Sequence, residues 1–377
     1  MSDTGTKAPA MWARLVGQDA VVHALRDAAA AGKVGHALLF AGPEGVGRRL
    51  AALALAASLN CPQGGCGECA ICAKVLRGAH PDVHLIVPEG QFILIGQIKG
   101  DGTNRGVIGE AYRSAIEGKT KVFVIEDAER MNLSAANALL KVLEEPPAGV
   151  VFVLMTGRPE DLPETIVSRC RRLDFSLLPE TAIRRVLEDH HGIDPAKAAW
   201  AARIGGNLAR ALRLAHDPDA PDRYASHRAI PARLSDKGLS EAIRIADELR
   251  AEAEHVTARL RARQAEQVAE AAEAEGESPR GRGSRGSAAI RKRMETRHKR
   301  EVRRAELDAI QAALDDIGSW YRDALVRTAG GDRTTMTPAG MLGALDRIEW
   351  SRRALERNAA AGLVLEALLS GLATSRM

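Results

Sequence analysis

Over the first 175 or so positions, apolar residues fall into short unbroken runs separated by amphipathic stretches; beyond that they follow long helical periodicities. The runs at 37–40, 121–125 and 150–156 are continuous in apolar and β-branched residues, the pattern of strands covered on both faces of a parallel sheet. Residues 84–87 and 173–175 read as shorter strands, and Ile93-Leu94-Ile95 as an edge strand or hairpin. Helical spacing marks 12–31, 48–59, 107–116 and 132–145, the last closed by Pro146-Pro147. Strand and helix alternating through short loops predict a parallel α/β layer.

Residues 179–214 read as two or three short helices split by His191-Gly192 and Gly205-Gly206, and Asp217-Pro218-Asp219-Ala220-Pro221 marks a boundary. A long helical pattern covers 239–274, gives way at 275–289 to Gly, Ser, Pro and Arg, and resumes over 297–329 and 338–372. The expected layout is an α/β core at 1–175, a helical lid at 176–220, and an all-α domain at 221–377. A flexible basic insertion is expected at about 275–296, too poor in apolar residues to order itself.

Composition sharpens this picture in three ways. The chain has 377 residues, enough for two or three domains, and 45% of them are hydrophobic, ample for real cores. Only 3% are aromatic, which leaves little material for stacking bases on rows of rings. The net charge of +4 is local: residues 276–304 hold eleven Lys/Arg against three Asp/Glu, so the remainder is slightly acidic. No apolar stretch reaches membrane-spanning length and the first residues lack a leader pattern, so a cytoplasmic protein with no membrane partner is expected.

The strand at 37–40 runs into Gly42-Pro43-Glu44-Gly45-Val46-Gly47-Arg48-Arg49 and then a helix. That is the layout of a phosphate-binding P-loop, G-x-x-x-x-G-K-[ST], in which backbone N–H groups and a helix N-terminus cradle phosphate. Gly42 and Gly47 meet the pattern, while Arg48 and Arg49 replace the phosphate lysine and the hydroxyl that binds magnesium. A guanidinium cannot ligate Mg²⁺. The loop is expected to be a retained scaffold, with residual nucleotide binding as the other reading. Glu126-Asp127, ending the strand at 121–125, occupies the place of a Walker B acidic pair in reversed order, and alternatively the two carboxylates cap the next helix.

Cys61, Cys66, Cys69 and Cys72 follow C-x4-C-x2-C-x2-C among glycines, a spacing suited to a closed tetrahedral zinc site, with small buried or redox cysteines as the bland alternative. The site is expected to be structural, because so small a knuckle folds on metal binding. His80 and His84 lie nearby but are superfluous as ligands.

Val16-Gly17-Gln18, the altered P-loop, the four-cysteine insert, the run from Asn137 to Pro147 and Ser168-Arg169-Cys170 together resemble the clamp-loader branch of the AAA+ ATPases. The resemblance is dense over 12–175 and rests beyond that on length and helical character. It implies an AAA+ core and lid followed by a helical collar that joins subunits in a ring. It further implies a part in loading a sliding clamp on primed DNA for bacterial DNA polymerase III, with tau/gamma motor subunits and a delta subunit as partners. Members of the non-motor kind often carry an altered loop, as Arg48-Arg49 and Glu126-Asp127 do here. Arg169 becomes, by the same resemblance, an arginine finger acting in trans on a neighbour's ATP. Its alternative is a structural salt bridge at a helix end.

Thr156 takes the sensor-1 place, and the register puts Ala209 where a sensor-2 arginine is expected, with Arg210 one position off. The chain itself is expected to bind ATP weakly or not at all and to lack ATPase and polymerase activity of its own, working within a DNA-directed DNA polymerase complex. An ATP-hydrolysing motor subunit is the rival reading, and a zinc-dependent nucleic-acid binder the third. The basic insertion is a contact for DNA or acidic partners, or a solvated linker.

Overall fold

The computed structural model describes residues 10–89, 92–102, 105–204, 207–276, 284–330, 336–357 and 359–374. The chain divides into two compact units, Met1–Pro218 and Asp219–Met377.

The first unit opens with helices α1 (Ala10–Ala13) and α2 (Asp19–Ala30), then strand β1 (Ala37–Ala41) and helix α3 (Arg48–Asn60). After the cysteine segment come α4 (Ala70–Leu76), β2 (Val83–Ile86), α5 (Ile95–Lys99), α6 (Gly106–Ala111) and β3 (Lys121–Ile125). Then follow α7 (Leu133–Glu144), β4 (Val150–Thr156), α8 (Glu164–Val167) and β5 (Arg171–Asp174). The five strands form one parallel sheet in the order β2-β3-β4-β1-β5. The three uninterrupted apolar runs are its central strands, buried at every position. One apolar cluster, with Leu38, Phe40, Val122 and Val153, packs one face against α2 and α3; the other, with Leu39, Phe123, Phe152 and Leu154, packs against α7.

Helices α9 (Glu180–His191), α10 (Pro195–Arg203) and α11 (Leu208–His216) complete the unit. Gly205 and Gly206 lie outside the described residues.

Two local expectations are corrected. Ile93-Leu94-Ile95 forms no strand: Ile93 makes an isolated bridge to Met131, and Leu94 is already the N-cap of α5, its N–H bonded to Gln97 Oε1 at 3.0 Å. The helix expected to reach Ile116 stops at Ala111. Further along, the N–H groups of Ile116, Glu117 and Gly118, at 2.7, 2.8 and 2.7 Å, are taken by the carboxylate of buried Asp82 instead of by helical carbonyls.

The second unit is helical: α12 (Ala220–Lys237), α13 (Leu239–Gly276), α14 (Ser284–Ala329), α15 (Pro338–Glu356) and α16 (Ala361–Thr374). Ile245, Leu249, Leu314, Ile317, Ile348, Leu365 and Leu369 build its core. Helix runs to Gly276 and resumes at Ser284, thirteen positions before Arg297, and only 277–283 of the insertion lie outside the described residues. No helix among the described residues is long and apolar enough to cross a membrane.

Candidate functional site

The altered phosphate loop follows the carboxyl end of β1, where a parallel sheet leaves a crevice. Gly42 (φ 147°) lies so close to β5 that a Cβ there would collide with the carbonyl oxygen of Phe175. Gly45 (φ 71°) faces the start of α11: a Cβ would strike the side chain of its N-cap Asn207, and the Leu208 N–H donates to the Gly45 carbonyl at 3.2 Å. Gly47, left-handed at φ 99°, is the N-cap of α3. Gln18 ties the arrangement together, its Nε2 donating to the carbonyls of Ser176 at 2.7 Å and Val46 at 3.3 Å.

Arg48 starts α3, and burial holds its pKa below the ordinary arginine value although Glu129, Glu44, Asp127 and Glu126 pull the other way. Its Nη1 is buried without a hydrogen-bond partner. Arg49 reaches across to the end of β3, with Nη1 at 3.2 Å from Glu126 Oε1. Asp127 alone among the described non-glycine residues has positive φ, at 47°, a strain of the kind found at working sites. Glu129 bonds to the fully buried Thr156; burial raises its pKa and nearby Asp127 adds to the rise. The loop, Glu126, Asp127 and Thr156 therefore converge at the carboxyl ends of the central strands. Gln18, Glu129 and Asn207 join them, and no spacing rule in the sequence marks those three as members.

Arg169 lies toward the amino ends of the strands. It precedes β5, and its Nη2 is 2.5 Å from Oε1 of Glu144, at the carboxyl end of α7, while its Nη1 donates to the Thr165 carbonyl at 2.9 Å. His36, Leu143, Glu144, Ser168 and Arg169 line an open recess of about 460 Å³. His36 immediately precedes β1, so the length of a strand, about 16 Å for five residues, separates this recess from the chain's own phosphate loop. Within this chain Arg169 is held by an exposed salt bridge, the alternative that its residues left open.

The four cysteines converge as their spacing predicts. Their sulfur atoms all lie within 4.8 Å of one another, with Cys61–Cys66 and Cys61–Cys69 at 3.7 Å and Cys66–Cys72 at 4.0 Å. A tetrahedron with Zn–S bonds of about 2.3 Å has edges of about 3.8 Å, so the donor set fits zinc. Gln63 N–H and Cys72 N–H each point at a sulfur, on Cys61 and Cys69, at 3.4 Å. The knuckle is clamped to the core: Trp12 Nε1 donates to Ser58 Oγ at 2.8 Å, that hydroxyl donates to the Gly64 carbonyl at 3.0 Å, and Met11 N–H donates to the Gly65 carbonyl at 3.2 Å. His80 is not a ligand, since its Nδ1 accepts the Asp82 N–H at 3.2 Å.

Residues 17–179 match the family described as DNA polymerase III, delta subunit. Subunit delta' of DNA polymerase III from Bacillus subtilis (strain 168) is 36% identical over 206 residues, 54% of this chain and 59% of that protein. The gamma/tau subunit from Mycobacterium tuberculosis (strain ATCC 25618 / H37Rv) is 33% identical over 211 residues, 54% of this chain and 36% of that protein. Subunit tau from Escherichia coli (strain K12) is 34% identical over 237 residues, 60% of this chain and 36% of that protein. The chain thus spans from about a third to about three fifths of the length of these relatives.

Proposed function

We propose that this chain, a member of the DNA polymerase III clamp-loader family over residues 17–179, is the non-hydrolysing delta'-type subunit that lends Arg169 to a neighbour's ATP. The observation that carries the reading is a separation. The chain's own phosphate loop, at the carboxyl end of β1, has Arg48 and Arg49 where lysine and a hydroxyl are required, and its Ser-Arg-Cys arginine stands toward the amino ends of the strands. An arginine so placed cannot serve its own loop, and it stands where a second protomer's triphosphate would have to approach it. Glu144 keeps the guanidinium in place until then. The pair is exposed, so exchanging a carboxylate for a phosphate partner costs little.

At the loop, Arg49 sets a cation against Glu126 where magnesium would sit in a working site, and no side-chain hydroxyl is left to hold the metal. ATP is bound weakly or not at all by this arrangement. Cys61, Cys66, Cys69 and Cys72 would hold a zinc ion whose contribution is a cross-link between the end of α3 and the start of α4. The second unit acts as the collar, and tau/gamma, delta, the sliding clamp and primed DNA are met through the assembly in the cytoplasm.

The test is reconstitution with tau/gamma and delta subunits. Arg169→Ala is expected to leave assembly intact and to abolish the DNA-stimulated ATP turnover of the adjoining site, since arginine fingers contribute about 10³–10⁵ in rate. Unchanged turnover removes the finger. A motor role, favoured by the 33–34% identity to gamma/tau proteins, instead requires ATP turnover by the purified chain that Arg48→Ala eliminates.

A further inference from the structure

The Arg169 guanidinium is held from two sides, and the two anchors differ in kind. The Thr165 carbonyl, which accepts from Nη1 at 2.9 Å, is a neutral acceptor on the adjoining helix α8. Glu144, whose Oε1 lies 2.5 Å from Nη2, is the last residue of α7 and brings a full negative charge from a separate element. Both partners of the ion pair line the recess of about 460 Å³, a volume in the range of small-ligand sites. While the pair is closed its charges cancel there, and an incoming phosphate meets a carboxylate beside the arginine.

Glu144 is not placed for the good of its own helix. A carboxylate in the last turn faces the negative end of the helix dipole, which disfavours it. The end of α7 is closed without its side chain, by the N–H of the C-cap Glu145 on the Lys141 carbonyl at 3.3 Å and by the two prolines that follow. Nor does Arg169 depend on it for an anchor, since the Thr165 carbonyl supplies one. Glu145 stands in the same field, exposed, and pairs with no cation among the described residues.

We infer that Glu144 is a latch on Arg169: it keeps the guanidinium neutralised, and the phosphates of a neighbouring protomer's ATP must displace it before the arginine can act. Carboxylate and phosphate are both charged acceptors suited to one guanidinium, so they compete for it. The inference rests on the finger reading of Arg169 and concerns the regulation of that site. The side chains are 36% and 49% exposed, so solvent screens the pair and the latch is a light one. An exposed pair of this kind biases an equilibrium by up to about 5-fold.

The test uses the assembly reconstituted with tau/gamma and delta subunits, without DNA, and takes the turnover removed by Arg169→Ala as that of the adjoining site. Glu144→Gln should raise kcat/KM for ATP at that site about 2–5-fold, whereas a carboxylate that merely supported the structure would lower it when removed. Glu145→Gln, the same charge change at the next residue, should leave it as in wild type. Arg169→Ala combined with Glu144→Gln should match Arg169→Ala alone, because the carboxylate acts only through the arginine. A fall or no change with Glu144→Gln, an equal rise with Glu145→Gln, a rise that survives the loss of Arg169, or exclusion of the Glu144→Gln chain from the assembly overturns the latch. Arg169→Ala indistinguishable from wild type overturns the finger and the latch together. A clear loss with Arg169→Ala that Glu144→Gln does not modulate overturns the latch and spares the finger.

Discussion

The Asp82 carboxylate is fully buried and anchors three consecutive N–H groups, from Ile116 to Gly118. Burial alone would raise its pKa, but those bonds outweigh the penalty and hold it below the ordinary value of 3.8. Its contribution to stability is therefore present above about pH 4 and is lost as pH falls through the lower folded value. Asp82→Asn sets an amide donor against backbone donors and should cost about 2 kcal/mol in urea denaturation, with a weakened acid dependence. The sequence offers no hint of this residue, because its partners lie more than thirty positions away and are backbone groups. Gln18 belongs to the Val16-Gly17-Gln18 stretch noticed in the sequence, but its partners Val46 and Ser176 are brought to it only by the folded sheet and loop. Arg48, Arg49 and Arg169, by contrast, stand out in the sequence because they occupy or depart from motif positions, which are visible without coordinates. Glu144, which holds Arg169, was not visible as its partner.

Among the elements, the strands buried on both faces were legible as unbroken apolar runs, while β5 registered only in part: its four positions are exposed or half-buried, and it is held by pairing with β1. Ile93-Leu94-Ile95 has strand composition and is overruled by capping, since Leu94 N–H is claimed by Gln97. Helix α4 was invisible to periodicity because it is seven residues long, and its N-cap is the metal-facing Cys69, whose sulfur accepts the Cys72 N–H. The four-cysteine knuckle, whose donors fit a metal ion, is therefore also the start of a helix. Cys66→Ser should reduce bound zinc from one equivalent per chain to near none, measured by elemental analysis. Trp12 emission should shift to the red at the same time, because the knuckle that receives Met11 and Trp12 loosens. Zinc retained at full stoichiometry in the Cys66→Ser chain would show that three thiols suffice and that the fourth is not needed.

At the scale of the whole molecule, each unit has its own core, one built around a parallel sheet and the other around α13, α14, α15 and α16. The second holds a buried polar centre: His227 Nδ1 lies 2.9 Å from Asp316 and Nε2 lies 3.1 Å from Glu252, which also meets Arg223 at 3.4 Å. Burial would lower the His227 pKa, but the two carboxylates outweigh it and raise the value to about 9. The folded unit therefore keeps a proton that the unfolded chain releases near pH 6.5, so the stabilisation is complete below about 6.5 and is lost as pH rises through 9. Over that window the loss is on the order of 3 kcal/mol, several degrees in Tm for a unit of this size. Calorimetry of the full chain should thus resolve two transitions that answer to different variables. Raising pH from 7 to 9.5 should lower the transition of the second unit, and His227→Gln should flatten that dependence. Stripping zinc at constant pH should lower the transition of the first unit alone. A single transition that moves as one under both treatments would mean that the two cores unfold together, and the zinc centre would then be stabilising the whole chain and not just the sheet beside it.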